Sequence, residues 1–158
     1  MIYTHRLAVA EDYEKLCAFP QNKVEQFYMY PRWSYPVSAA EMREVAAGRM
    51  APTVLLRGGE AAAYGNLYYA AGEEGVWIGN VIVSPLHRGQ GAGTALIRTL
   101  MEKARSELGA GEVQLMCHST NTAALLLYRK LGFKPYEWAE KTGPYGDPVL
   151  LLKLKQSL

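Results

Sequence analysis

The sequence predicts an α/β fold (α+β): a mixed, mainly antiparallel sheet of six to seven strands with about four helices on its faces. Three observations point there. The hydrophobic period switches between about 3.6 and 2 along the chain, in the order β-α-α-β-β-β-α-β-α-β-β. Residues 53–83 hold three strand-like runs joined by tight glycine turns, which is the pattern of an antiparallel meander. The last of these runs passes straight into a glycine-rich loop that opens a long amphipathic helix.

Each element has its own signal. Residues 2–8 alternate weakly and give a first strand. Residues 10–19 carry Tyr13, Leu16 and Cys17 at helical spacing, and Pro20 stops that helix. Residues 20–37 are rich in proline and aromatics and predict an irregular segment or a broken helix. Ser38 and Glu41 form a capping box for a helix that ends near Gly48. Residues 53–57, 60–71 and 76–83 are the meander, with Gly58–Gly59 and Glu73–Gly75 as turns and Pro85 as the stop. Residues 92–108 place Leu96, Ile97, Leu100, Met101, Ala104 and Leu108 on one helical face. A strand at 112–117 and a helix at 121–131 follow, the helix closed by Gly132. Strands at 133–141 and 147–154 finish the chain around Gly143–Gly146.

The bulk numbers fit one domain over residues 1–158. Apolar residues are 49% of the chain, charged residues 20%, and the net charge is +2. No basic tract exceeds two residues, so no nucleic-acid partner is expected. Glu11, Asp12 and Glu14 stand where a signal peptide would be apolar, and no apolar run reaches membrane-span length. The expectation is a cytoplasmic protein with no membrane association. Cys17 and Cys117 lack C-x-x-C spacing and are expected to be reduced. His5, His87 and His118 show no ligand spacing, so no metal is expected.

The chemistry sits in Val81–Thr94. Three glycines within five residues, at the entrance of a helix, leave the backbone bare. The first N–H groups of the helix can then face one anionic group, with the helix dipole adding partial positive charge. Arg88 offers a full charge at the rim. A Walker A loop would need Lys-Ser/Thr after its last glycine, where Thr94 and Ala95 stand. A dinucleotide fingerprint would need glycine where Thr94 or Leu96 stands.

A second constellation, Asn121-Thr-Ala-Ala-Leu-Leu-Leu-Tyr128-Arg-Lys-Leu-Gly-Phe133, follows a strand and begins a helix. With Arg88-Gly-Gln-Gly-Ala-Gly93 it resembles the GNAT superfamily of N-acetyltransferases. The first segment resembles that family's R/Q-x-x-G-x-G/A signature, the second its N-x-x-A…Y-x-x-x-G-F element. The resemblance implies a GNAT-like sheet splayed at a cofactor cleft, with acetyl-CoA as donor and a small-molecule or peptide amine as acceptor. It implies that the backbone amides of Arg88, Gly89, Gln90, Gly91, Ala92, Gly93 and Thr94 hold the diphosphate. Ile82 and Val83 would pair with the pantetheine arm, the Val83 amide would face the thioester carbonyl, and Asn121 would touch the arm. Tyr128 would sit near the sulfur as the catalytic acid. Relatives also admit a homodimer.

Many members carry a glutamate base on the strand before the loop. Here Trp77-Ile-Gly-Asn-Val-Ile-Val83 has Gly79 and Asn80 and no acid. A water chain ordered by Asn80, Asn66 or a tyrosine is one substitute; Glu25, Glu73 and Asp147 are others without a supporting motif. His118 is read first as a satisfied polar residue. The aromatics Tyr28, Tyr30 and Trp33, with Phe27 and Tyr35, form one expected acceptor wall, where ring faces could hold a cationic or hydrophobic amine. Tyr145 and Asp147 mark a second. The missing acid leaves open a non-catalytic acyl-CoA sensor or an interaction module.

Overall fold

A computed structural model describes residues 2–158. In chain order the elements are β1 (Thr4–Leu7), α1 (Tyr13–Leu16), α2 (Lys23–Met29), α3 (Ala39–Ala47), β2 (Met50–Arg57), β3 (Glu60–Tyr68), β4 (Val76–Val83), α4 (Ala92–Leu108), β5 (Glu112–His118), α5 (Thr122–Lys130), β6 (Lys134–Thr142) and β7 (Pro148–Ser157). Among the described residues the strands form one seven-stranded open sheet, ordered β1-β2-β3-β4-β5-β7-β6. Every pairing is antiparallel except β4 with β5. The mixed, mainly antiparallel sheet is as predicted.

One helical expectation changes and another takes a definite form. The predicted helix over 10–19 is a 3-10 turn at Ala10–Asp12 followed by the single turn of α1. The proline-rich segment 20–37, expected to be irregular or a broken helix, holds the two-turn helix α2 followed by turns. Among the described residues there are five α-helices where about four were expected. Asn22 explains its start, since its side chain accepts from the Glu25 N–H at 2.9 Å. The Ser38–Glu41 capping box opens α3 as expected.

Alternation along the strands builds two apolar layers. Val54, Tyr64 and Ile82 face α1 and α3, where Tyr13, Leu16 and Met42 close the cluster. Leu55, Ala63, Leu67 and Leu115 face the other way, against Leu96, Ile97 and Leu100 of α4. Those three α4 side chains are fully buried, each contributing about 1.5–3 kcal/mol of hydrophobic stabilisation. This packing holds the N-terminus of α4 at the end of β4.

The parallel pair is where the sheet opens. β4 and β5 pair at Val76↔Val113, Trp77↔Gln114 and Ile78↔Leu115 and no further. Beyond Ile78, β4 carries an irregularity opposite β3, and Asn80 adopts φ +53°. β5 continues to follow β7 as far as His118↔Leu151. The two strands therefore diverge from Gly79 onward, and a cleft opens between them.

Candidate active site

The cleft is a cavity of about 1170 Å³. One end lies against the α4 entrance, the other against α2 and the start of β2. At the first end, Gly91 is the N-cap of α4, with φ +81° and no side-chain cap. Among residues bearing a side chain that conformation is rare. A Cβ at Gly91 would meet nothing within 4 Å. What the site requires there is the backbone turn and an open approach. The first intrahelical bond of the loop runs from the Ala95 N–H to the Gly91 carbonyl at 3.0 Å. Among the described residues the N–H groups of Ala92, Gly93 and Thr94 are thus unpaired donors at a helix N-terminus. All three residues line the cavity, as do Gly89 and Gly91.

Gly93 has a further reason to be glycine. A Cβ there would sit 2.9 Å from Leu127 Cδ2, so the missing side chain lets α5 pack against α4. That contact brings Tyr128 and Asn121 to the cleft. Both line it. Asn121 caps α5 by position but makes no side-chain cap bond, which leaves its amide for a ligand. Tyr128 packs on Phe133, ring centroids 5.9 Å apart. Burial, reinforced by nearby Cys117, pushes the Tyr128 phenol well above its usual value. Burial also pushes the Cys117 thiol up to about 12, so it is no nucleophile.

Three cofactor-end residues behave differently from expectation. The Arg88 guanidinium does not stand free at the rim. It makes a bidentate pair with Glu25 of α2, at 2.8 and 2.9 Å, and also donates to the Val83 carbonyl at 3.3 Å. Its charge is neutralised, and it ties α2 to the loop. Gln90 does not line the cavity; its side chain accepts from Arg57, donates to the Leu86 carbonyl, and anchors the loop to β2. Ile82 turns its backbone toward β3. The Ser84 N–H bonds Ala62 at 2.8 Å, and N–H directions alternate along a strand, so Ile82 faces β3 and Val83 faces the cleft.

The acceptor end also departs from the sequence reading. Tyr28 and Tyr30 line the cavity. Trp33 does not; it packs on Tyr30 at 4.5 Å and against the α1–α3 cluster. Asn66 is 1% exposed. Its side chain accepts from Arg49 and donates to Tyr64 and Asn80. Asn80 lines the cavity, but its amide is held by Asn66 and by the Met29 carbonyl. Both asparagines position β4 and α2. Tyr145 is 71% exposed, outside the cavity, with Lys23 Nζ 5.1 Å above its ring. Asp147 shares that exposed turn.

Among the expected bases, Glu25 is committed to Arg88, which holds its carboxyl below the usual range. Glu73 pairs with Lys153. His118, read first as satisfied, makes no ring-nitrogen hydrogen bond among the described residues and lines the cavity. Its ring is packed by Phe27 at 4.4 Å and Tyr28 at 5.9 Å. Burial lowers its pKa below 6.5. Among the further cavity residues that escaped the sequence reading are Arg49 and Tyr68. Their only sequence signal was an arginine just after a helix-ending glycine and a tyrosine late in a strand. Among the described residues no cluster of His, Cys, Asp or Glu could hold a metal, and no helix is long and apolar enough to cross a membrane.

The profile of the Acetyltransferase (GNAT) family matches residues 9–133. The chain belongs to the GNAT acetyltransferase family. Relatives with GNAT-type names match in part. An uncharacterized N-acetyltransferase, YobR, of Bacillus subtilis is 45% identical over 58 residues, covering 37% of this chain and 23% of that protein. Streptothricin acetyltransferase of Streptomyces lavendulae is 36% identical over 75 residues, covering 48% of this chain and 39% of that one. The chain thus matches well under half the length of either. The GNAT fold is shared over almost the whole chain with ribosomal-protein-alanine N-acetyltransferase from Brucella melitensis, with TM-score 0.82, 24% identity, and coverage of 98% and 99%. It is shared equally with a GNAT phosphinothricin acetyltransferase from Sinorhizobium meliloti solved in complex with acetyl-CoA, with TM-score 0.82, 23% identity, and coverage of 100% and 89%.

Proposed function

We propose that this GNAT chain is an N-acetyltransferase that moves the acetyl group of acetyl-CoA directly to an amine. The observation that carries the proposal is the uncapped α4 entrance opening into the same cavity as Val83, Asn121 and Tyr128. The cavity fits a long ligand with an anionic middle. Unpaired amides of Ala92, Gly93 and Thr94 meet a diphosphate, and the unobstructed space at Gly89 and Gly91 admits it.

Acetyl-CoA supplies the acetyl group as a thioester. The chain's own residues then have separable tasks. The Val83 N–H is offered to the arm or to the thioester oxygen as charge builds there. The Val83 carbonyl is held by Arg88, so its N–H does the pairing. Asn121 holds the arm from the opposite wall. Tyr128 stays protonated across the neutral range, because burial disfavours its phenolate; it donates a hydrogen bond to the leaving sulfur. His118 accepts the proton of the incoming amine, directly or through one water. It is neutral above its lowered pKa, and the cavity carboxylates are committed to Arg88 and Lys153.

The test is thiol release from acetyl-CoA with a panel of amines. Turnover that Tyr128→Phe lowers by about 10- to 100-fold, with acetyl-CoA affinity held, supports the enzyme. Tight binding of acetyl-CoA without turnover on any amine would mean an acyl-CoA sensor. No binding at millimolar acetyl-CoA would remove the proposal.

A further inference from the structure

The acceptor end of the cleft holds a cation that no carboxylate among the described residues neutralises. Arg49, between α3 and β2, reaches across the sheet to β4. Its guanidinium lies 3.9 Å from the Tyr68 ring centroid and 5.8 Å from that of Tyr30. Its Nη1 donates to Asn66 at 3.0 Å. Among the described residues no carboxylate pairs with it.

The surroundings repeat the pattern. Arg32 and Lys141 line the same cavity and likewise have no carboxylate partner among the described residues, while the lining carboxylates Glu25 and Glu73 are each bound to a cation. The open charge of the cavity is therefore positive. Burial lowers the pKa of Arg49, the sign of a guanidinium that has lost water. Aromatic faces, one amide oxygen and the Tyr30 hydroxyl restore only part of that hydration.

Gly79 shows that the chain makes room for this ion. A Cβ at Gly79 would stand 2.4 Å from Arg49 Nη1 and 2.7 Å from Tyr68 Cε1. The position where β4 lacks an acid is thus filled from across the sheet by a guanidinium. It also means that the Tyr30 and Tyr68 faces, which could have held a cationic acceptor, already hold an internal cation.

We infer that the acceptor is a small aminocarboxylate, whose carboxylate pairs with Arg49 while its amine meets the thioester. Arg49 sits over Gly79, where β4 and β5 begin to part, four residues or about 13 Å along β4 from Val83. With the Val83 N–H on the arm, the thioester lies deeper in the cleft toward Gly79, so anion and amine belong to one compact molecule. A planar fork suits a carboxylate in two-point contact. The inference rests on the acetyl-CoA reading of the cleft.

The experiment uses the full chain saturated with acetyl-CoA, measuring thiol release with the common L-amino acids, each beside its carboxamide. An accepted amino acid is expected to exceed its carboxamide in kcat/KM by about 10- to 100-fold. R49A and R49Q are expected to erase that ratio, and R49K to keep part of it. Calorimetric affinity for acetyl-CoA should be unchanged in all three, which also shows that they fold. Equal use of acids and carboxamides, a ratio that survives R49A and R49Q, or turnover confined to amines without a carboxylate would overturn the inference and leave the acetyl-CoA reading standing. Wild-type protein that fails to bind acetyl-CoA would overturn both.

Discussion

Burial sets the protonation of the two side chains assigned to proton handling. His118 is 5% exposed, and its pKa falls below 6.5 because the imidazolium is poorly hydrated there. As a base it works above that lowered value and fails below it. The acid limb of kcat/KM is therefore expected to fall below pH 6.5. His118→Asn should remove that limb and cost about 100-fold in kcat; an unaltered pH–rate profile would dismiss the role. The same shift has a stability consequence. The unfolded chain takes up a proton near pH 6.5 and the folded chain only at lower pH, so acidification from 6.5 through the folded value destabilises the fold. Tyr128 moves the opposite way, since its charged form is the deprotonated one. The sequence motif singles out Tyr128 for the proposed role but reads His118 as satisfied. Whether an imidazole nitrogen has a partner depends on α2, which packs Phe27 and Tyr28 against it from far away in the chain.

The loop between β4 and α4 works through its backbone. Gly91 combines a left-handed φ of +81° with open space at its Cβ position. A long acidic side chain there would be strained in the backbone and would project negative charge across unpaired amides. Gly91→Glu is expected to reduce acetyl-CoA affinity at least about 100-fold, while circular dichroism remains that of the native protein. Unchanged affinity by calorimetric titration would place the diphosphate elsewhere. The three glycines that looked alike in sequence have separate duties. Gly91 turns the chain, Gly93 admits Leu127 of α5, and Gly89 borders the cleft. The Arg88 side chain, which looked like a free charge at the rim, is instead a strap between α2 and the loop. An arginine's charge is plain in the sequence; the Glu25 that cancels it is contributed by a distant helix.

The whole molecule is a sheet whose middle is left unzipped. From Gly79 to Val83, β4 has β3 on one side and a cleft on the other. A ligand that bridges β4 to the α4–α5 wall should therefore stabilise the folded state. At acetyl-CoA concentrations near 100 times Kd the gain is about 2.7 kcal/mol, a rise in Tm of about 5–10 °C for a chain of this size. Differential scanning calorimetry checks this, and an unmoved Tm would count against the cleft as the binding site.

The sequence by itself determined the strand and helix order, the meander, the α4 entrance and the Asn121–Tyr128 element. Those depend on period, glycine placement and capping within a few residues, and such local signals need no knowledge of the rest of the chain. Its local failure, the shortened helix at 10–19, and the segment it left undecided at 20–37, which holds α2, fell where proline and aromatics blur the period. The tertiary structure alone decided the charge of the acceptor end. Arg49, Tyr30, Tyr68 and Gly79 come from α2 and three different strands or their edges. A cation's worth depends on which carboxylates and rings the fold brings beside it, and no local pattern encodes that.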